Sequence, residues 1–208
     1  MDCDESISTG LCKMAIVSLV SGGLDSSLMS ILAKENDNIL HPLFINYGQL
    51  AYEKEWLACQ TMHRKYGLPA PVKMDIDGYG KTILSGLTSK DKKIKDEAFL
   101  PGRNLVFLVM GAAYAKEVGA TAVTIGLLKE ETAIFNDQTD QFLEKAQDII
   151  QYSIGEEIQI LTPLRDFYKQ EIVALAKIKG LNGTYSCHAG GEEPCEQCIA
   201  CEEYHFKE

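Results

Sequence analysis

Residues 14–20, MAIVSLV, form a nearly uninterrupted apolar run that ends abruptly at Ser21-Gly22-Gly23. A run of that kind suits a strand buried on both faces. A glycine pair directly behind it suits a sharp turn from strand into helix. Residues 25–35 then place Leu28, Ile31 and Leu32 at helical spacing. The same alternation continues along the chain. Strands are expected at 39–46, 72–76, 122–127 and 158–161, and helices at 52–66, 104–118, 140–152 and 168–179. Asn104 is the expected N-cap of its helix, and Gly180 ends the last one. Residues 77–98, rich in Gly and Lys, read as a surface loop. Strands alternating with helices predict an α/β fold, a mostly parallel open sheet with helices on both faces. Ligands of such sheets bind beyond the carboxyl ends of the strands, which directs attention to the loops after Val20, Asn46 and Leu127.

Composition narrows the function. The chain has 208 residues, 46% hydrophobic and 24% charged, enough for a sizeable core and unlike a disordered or coiled-coil chain. Its formal charge of −10 argues against a protein that coats nucleic acid. No stretch matches a membrane span, and the acidic start MDCDESISTGLCK lacks the order of a signal peptide. The expectation is a cytoplasmic protein. It divides into a flexible tail over 1–13, one domain over 14–180 and a C-terminal segment over 181–208.

Ser21-Gly22-Gly23-Leu24-Asp25-Ser26-Ser27 reads as a phosphate cradle. Free backbone N–H groups and the positive end of the helix converge there, and the three serine hydroxyls add donors. Asp25 fits poorly beside a bare anion and well if Mg²⁺ bridges carboxylate and phosphate. The plainer reading is a helix start capped by Ser and Asp. Gly80-Lys81-Thr82 ends like a Walker A loop but lacks the earlier glycine, where Asp75 stands.

Four of the seven cysteines, Cys187, Cys195, Cys198 and Cys201, fall within fifteen residues. Four thiolates complete a tetrahedral Zn²⁺ site with no open position, which makes it structural. An iron–sulfur cluster is the rival. His188 and His205 read as bystanders, since the cysteines already saturate one ion.

SGGLDSS resembles the PP-loop of the N-type ATP pyrophosphatases, which split ATP between its α and β phosphates and transfer AMP to a substrate oxygen. With LPGRN at 100–104 and SCHAGGEEPCEQCIAC at 186–201, the chain resembles the QueC family of 7-cyano-7-deazaguanine synthases. Asn46-Tyr47-Gly48-Gln49 and Thr162-Pro163-Leu164 followed by Lys169 support the resemblance. It implies ATP, Mg²⁺, a structural Zn²⁺, a deazapurine substrate, ammonia and a homodimer. Ser21 to Ser27 with Tyr47, Gly48 and Gln49 would bind nucleotide, and Asp25, Arg103 and Lys169 would act in catalysis. Arg103, Asn104, Glu131 and Asp137 would contact substrate.

Each basic residue has a plainer role open to it. Arg103 can cap or salt-bridge, and Lys169 sits at a helix start where a cation is unfavourable unless a phosphate compensates. Residues 131–138 depart from the family's Tyr-Ser-Gly pattern, and Glu202, Glu203 and Tyr204 stand where the family often has a basic residue. The acceptor pocket is thus the altered half. An activated acyl group passed to another amine, perhaps one on a protein, and halted at the amide is the alternative product. A non-catalytic nucleotide-binding protein and a sulfur-transferring tRNA enzyme are the others.

Overall fold

A computed structural model describes residues 13–203. The elements follow the expected alternation: β1 (Ala15–Val20), α1 (Leu24–Glu35), β2 (Ile39–Asn46), α2 (Tyr52–Lys65), β3 (Val72–Asp75), α3 (Gly78–Thr82), α4 (Arg103–Val118), β4 (Ala122–Thr124), α5 (Asp140–Ile154), β5 (Gln159–Leu161), α6 (Lys169–Ile178) and α7 (Ile199–Glu202). All five strands are parallel, in the order β3-β2-β1-β4-β5. The chain runs outward from β1 to β2 and β3, then crosses back to β4. The order therefore reverses between β1 and β4, and a crevice opens at their carboxyl ends.

Two cores cover the sheet. On one face Ile16 and Leu40 pack with Leu28 and Met29 of α1 and Ile172 of α6. On the other Val17, Leu19 and Val123 pack with Leu108 and Ala112 of α4 and Ile150 of α5. Strand alternation explains the split, since Ile16 and Val17 must point to opposite faces. Ser18 is buried among these apolar residues, and its hydroxyl is satisfied by Ser30 of α1 at 3.0 Å. Gly111 lets α4 settle closely, because a Cβ there would lie 2.8 Å from Val123. Among the described residues no helix is long and apolar enough to cross a membrane.

Three local expectations are corrected. Gly102, in the left-handed region at φ 77°, takes the N-cap place of α4 instead of Asn104. Asn104 is buried inside the helix and spends its side-chain N–H on the Asp137 carbonyl at 2.9 Å. β4 stops at Thr124, three residues early, because the chain leaves the sheet to border the crevice. The basic run within 77–98 is tied down: Lys92 pairs with Glu97, and Lys95 reaches Glu202 at 2.6 Å. Cys3, Cys12 and His205, and almost all of the expected tail, lie outside the described residues.

Candidate active site

The loop from Ser21 to Ser27 sits at the reversal point, where β1 gives way to α1. No side chain caps α1, and Gly23 occupies the N-cap position. The Ser21 and Ser26 hydroxyls stand 3.1 Å apart, and the Ser21 hydroxyl accepts from Gly23 N–H at 3.3 Å. Asp25 caps nothing. Both of its oxygens accept from Lys169 Nζ at 2.8 Å, drawing the first residue of α6 against the first turn of α1. Glu203, beyond the cysteines, also reaches Lys169, at 3.2 Å. Lys169, placed unfavourably for its own helix, is thus compensated by two carboxylates.

The first glycine of the pair makes the expected sharp turn and is also tightly packed. Gly22 has φ +80°, and a Cβ there would lie 2.4 Å from the Glu55 carbonyl oxygen and 2.7 Å from Cys59 N of α2. Close approach of α2 by itself demands this glycine. At Gly23 the nearest atom to an added Cβ is the Ser21 hydroxyl at 3.3 Å.

The crevice encloses about 340 Å³, within the range of small-molecule sites. Ser21, Asp25 and Ser26 line it, as do Tyr47, Arg103 and Asn104. The Arg103 guanidinium lies over the Tyr47 ring at 5.8 Å. Phe107, packed against Tyr47 at 5.3 Å between ring centroids, and Phe135 add aromatic surface to the lining. Leu24 and Ser27 are buried in α1 behind the loop. Gln49 lies behind Tyr47, accepting from its N–H at 3.0 Å, and Gly48 turns with φ +85°.

Neither acid of the altered segment is among the residues that line the crevice. Asp137 is half-buried beside Arg103; desolvation raises its carboxyl above the usual range, while Arg103 opposes this. Glu131 is exposed and accepts from the Tyr168 hydroxyl.

Three more residues line the crevice: Glu55, which the sequence reading did not single out, His188, which it read as a bystander, and Glu203, which it noted only as a departure from the family. Glu55 of α2 lines it, with Gln49 donating to its Oε2 at 2.9 Å, and burial pushes it up to about 7. His188 lines it too, and its Nδ1 has no hydrogen-bond partner among the described residues. Desolvation, aided by Arg103 and Lys169, holds His188 down at about 4, a neutral ring. Glu203 is the third; burial raises its carboxyl despite Lys169.

His188 and Glu203 are delivered by the cysteine segment. The Sγ atoms of Cys187, Cys195, Cys198 and Cys201 all lie within 4.8 Å of one another. Backbone N–H groups of Cys195 and Cys201 donate to the sulfurs of Cys187 and Cys198, each at 3.4 Å. Burial pushes the Cys201 thiol up to about 12; at Cys195 burial also raises it, but the N–H groups of Gln197 and Cys198 together with the Cys187 and Cys198 side chains bring it down to about 7. A cation would relieve the cost of holding four such thiolates together. The segment is anchored to the first loop by the Tyr185 N–H, which donates to the Gly22 carbonyl at 2.9 Å.

Known proteins resemble this chain along most of its length. The family model described as queuosine biosynthesis protein QueC matches residues 15–205. A 7-cyano-7-deazaguanine synthase of Methanobrevibacter smithii is 32% identical, over 89% of this chain and 88% of its own. A synthase of the same name from Carboxydothermus hydrogenoformans is 29% identical over 91% and 95%. Among solved structures, the U34-tRNA thiolase NcsA from Methanococcus maripaludis with its [4Fe-4S] cluster superposes with a TM-score of 0.55. That match is 16% identical and covers 88% of this chain and 62% of the thiolase. At that identity it speaks for the shared fold alone.

Proposed function

The chain belongs to the QueC family, a family of ATP-dependent ligases, and from that premise we propose that it activates 7-carboxy-7-deazaguanine. ATP would adenylate the carboxylate, ammonia would displace AMP to give the amide, and a second activation would leave 7-cyano-7-deazaguanine, in the cytoplasm. The observation that carries this reading is the convergence of Asp25, itself held by Lys169, and Arg103 on one crevice with aromatic lining at the uncapped start of α1.

The chemistry requires those parts. A carboxylate is a poor electrophile because oxide is a very poor leaving group; adenylation turns that oxygen into part of a good one. Splitting ATP between α and β builds charge on pyrophosphate, where preorganised donors are most effective. The N–H groups of the Ser21–Ser27 turn would receive the phosphates, and Lys169 would move from Asp25 towards them. Mg²⁺, when bound, supplies charge neutralisation at the pyrophosphate, and Asp25 would hold it. Arg103 would face the developing charge at the acyl phosphate. Asp137 would read the guanine-like edge, since a carboxylate accepts from two adjacent N–H donors.

The cysteines fit Zn²⁺. At Zn–S bonds of about 2.3 Å a tetrahedron sets its sulfurs somewhat under 4 Å apart, and Cys195 and Cys201 stand at 4.0 Å. Four thiolates that share one ion sit closer together than four that each bind their own iron. The homodimer implied by the family is part of the proposal. A protein amine as acceptor is the second reading, favoured by exposed Ile134 at the crevice and exposed Phe99 stacked on Phe135 at 5.0 Å.

The test is exchange of labelled pyrophosphate into ATP with ammonium absent. The proposal predicts exchange that depends on the deazaguanine acid and is lost in Asp25→Asn. Release of ADP, or exchange indifferent to the acid, would refute it.

A further inference from the structure

Ammonia reaches a neutral solution almost wholly as ammonium, which has no lone pair to attack with. A chain that takes a proton from it beside the acyl phosphate makes far more of the nitrogen available for attack than the small free-ammonia fraction supplies. Neither charged residue of the first loop and the 100–104 motif is free for this: Asp25 is engaged by Lys169 through both oxygens, and Arg103 is a cation at any working pH.

We propose that Glu55 is the proton acceptor for the attacking nitrogen, a role that rests on the amide-forming reading above. Three features of the structure place it there. Glu55 stands in the first turn of α2, whose backbone touches Gly22, so its carboxylate is fixed relative to the phosphate loop. It lines the same crevice as Ser21, Asp25 and Arg103. The Gln49 amide donates to Oε2 at 2.9 Å, and Gln49 is itself held by the Tyr47 N–H, so one oxygen is oriented while Oε1 stays outside that bond. A carboxylate in such surroundings attracts a small cation and then accepts its proton. Burial pushing Glu55 up to about 7 suits an acceptor that must hold a proton briefly at neutral pH.

The step balances. Ammonium gives one proton to Glu55 and its freed electron pair forms the C–N bond to the acyl carbon. The C–O bond to AMP breaks, with its electron pair leaving on the phosphate oxygen. The second surplus proton leaves nitrogen for solvent as the intermediate collapses to the amide. Nothing is oxidised or reduced.

Glu55→Gln keeps the shape and the acceptor for Gln49 while removing the base. Three rates are compared with wild type: acid-dependent pyrophosphate exchange without ammonium, amide formation with ammonium, and hydroxamate formation with hydroxylamine, a nucleophile largely unprotonated at neutral pH. General-base catalysis contributes about 100-fold or more, so amide formation should fall by roughly that factor, with exchange and hydroxamate within about threefold of wild type. Amide formation at the wild-type rate would overturn the proposal. So would loss of exchange, or hydroxamate falling in parallel with amide, since either marks a structural role. If wild type itself shows no acid-dependent exchange, the adenylation reading fails and the base falls with it; the other three results leave that reading intact.

Discussion

Gly22→Ala is a sharp probe of why the first loop has its sequence. At φ +80° an L-residue costs about 1–2 kcal/mol in left-handed backbone. The new methyl would also sit 2.4 Å from the Glu55 carbonyl oxygen and 2.7 Å from Cys59 N, atoms of helix backbone that cannot swing aside. Overpacking of that kind adds about 1–3 kcal/mol, so the substitution should remove about 2–5 kcal/mol. In a chain of this size each kcal/mol shifts Tm by about 2–4 °C, and a drop of roughly 10 °C is expected. Gly23→Ala is the control. Its φ of −76° is ordinary, the nearest contact is a serine hydroxyl at 3.3 Å, and the cost at an N-cap should be about 1 kcal/mol or less. Thermal unfolding followed by circular dichroism reads both. If Gly22→Ala melts with wild type, or Gly23→Ala falls as far, the packing of α2 does not dictate the loop.

The purified chain should carry about one Zn²⁺, and Cys198→Ser should lower solubility and activity together, because the same segment delivers His188 and Glu203 to the crevice; a brown, iron-bearing protein would contradict this. Asp137→Asn should weaken use of the deazaguanine acid with nucleotide binding unchanged, whereas Glu131→Gln should do neither. Steady-state kinetics decides, and the reverse pattern would move base recognition to the Tyr168 side. Glu55 is raised from an ordinary 4.5 to about 7, so its contribution to stability is fullest below about pH 4.5 and is lost as pH rises through about 7. Glu55→Gln should therefore gain at most about 3 kcal/mol over wild type at pH 8 relative to its difference at pH 5; an equal difference in Tm at both pH values would refute the cost of that charge.

What was legible in the sequence is what short segments encode. The run before Ser21 and the helical spacing of Leu28, Ile31 and Leu32 gave β1 and α1 nearly to the residue. The cysteine spacing foretold a cluster that the fold does assemble. Asn104 misled because capping preference competes with Gly102, whose left-handed backbone starts the helix a residue sooner and frees Asn104 to hold residue 137. The places of Glu55, His188 and Glu203 at the crevice were hidden for another reason. Glu55 looks like a surface position of a polar helix until α2 is pressed against Gly22. His188 and Glu203 reach the crevice only through the fold of the cysteine segment, a tertiary event that no local spacing expresses.

The central claim is the conversion of a deazaguanine carboxylate at this crevice, and the product's mass tests it most directly. Purified chain would be incubated with 7-carboxy-7-deazaguanine, ATP, Mg²⁺ and ammonium, and the products resolved by mass spectrometry. The account predicts AMP and pyrophosphate with the amide appearing first and the nitrile after it. Unchanged acid, or ADP and phosphate in place of AMP, would contradict it.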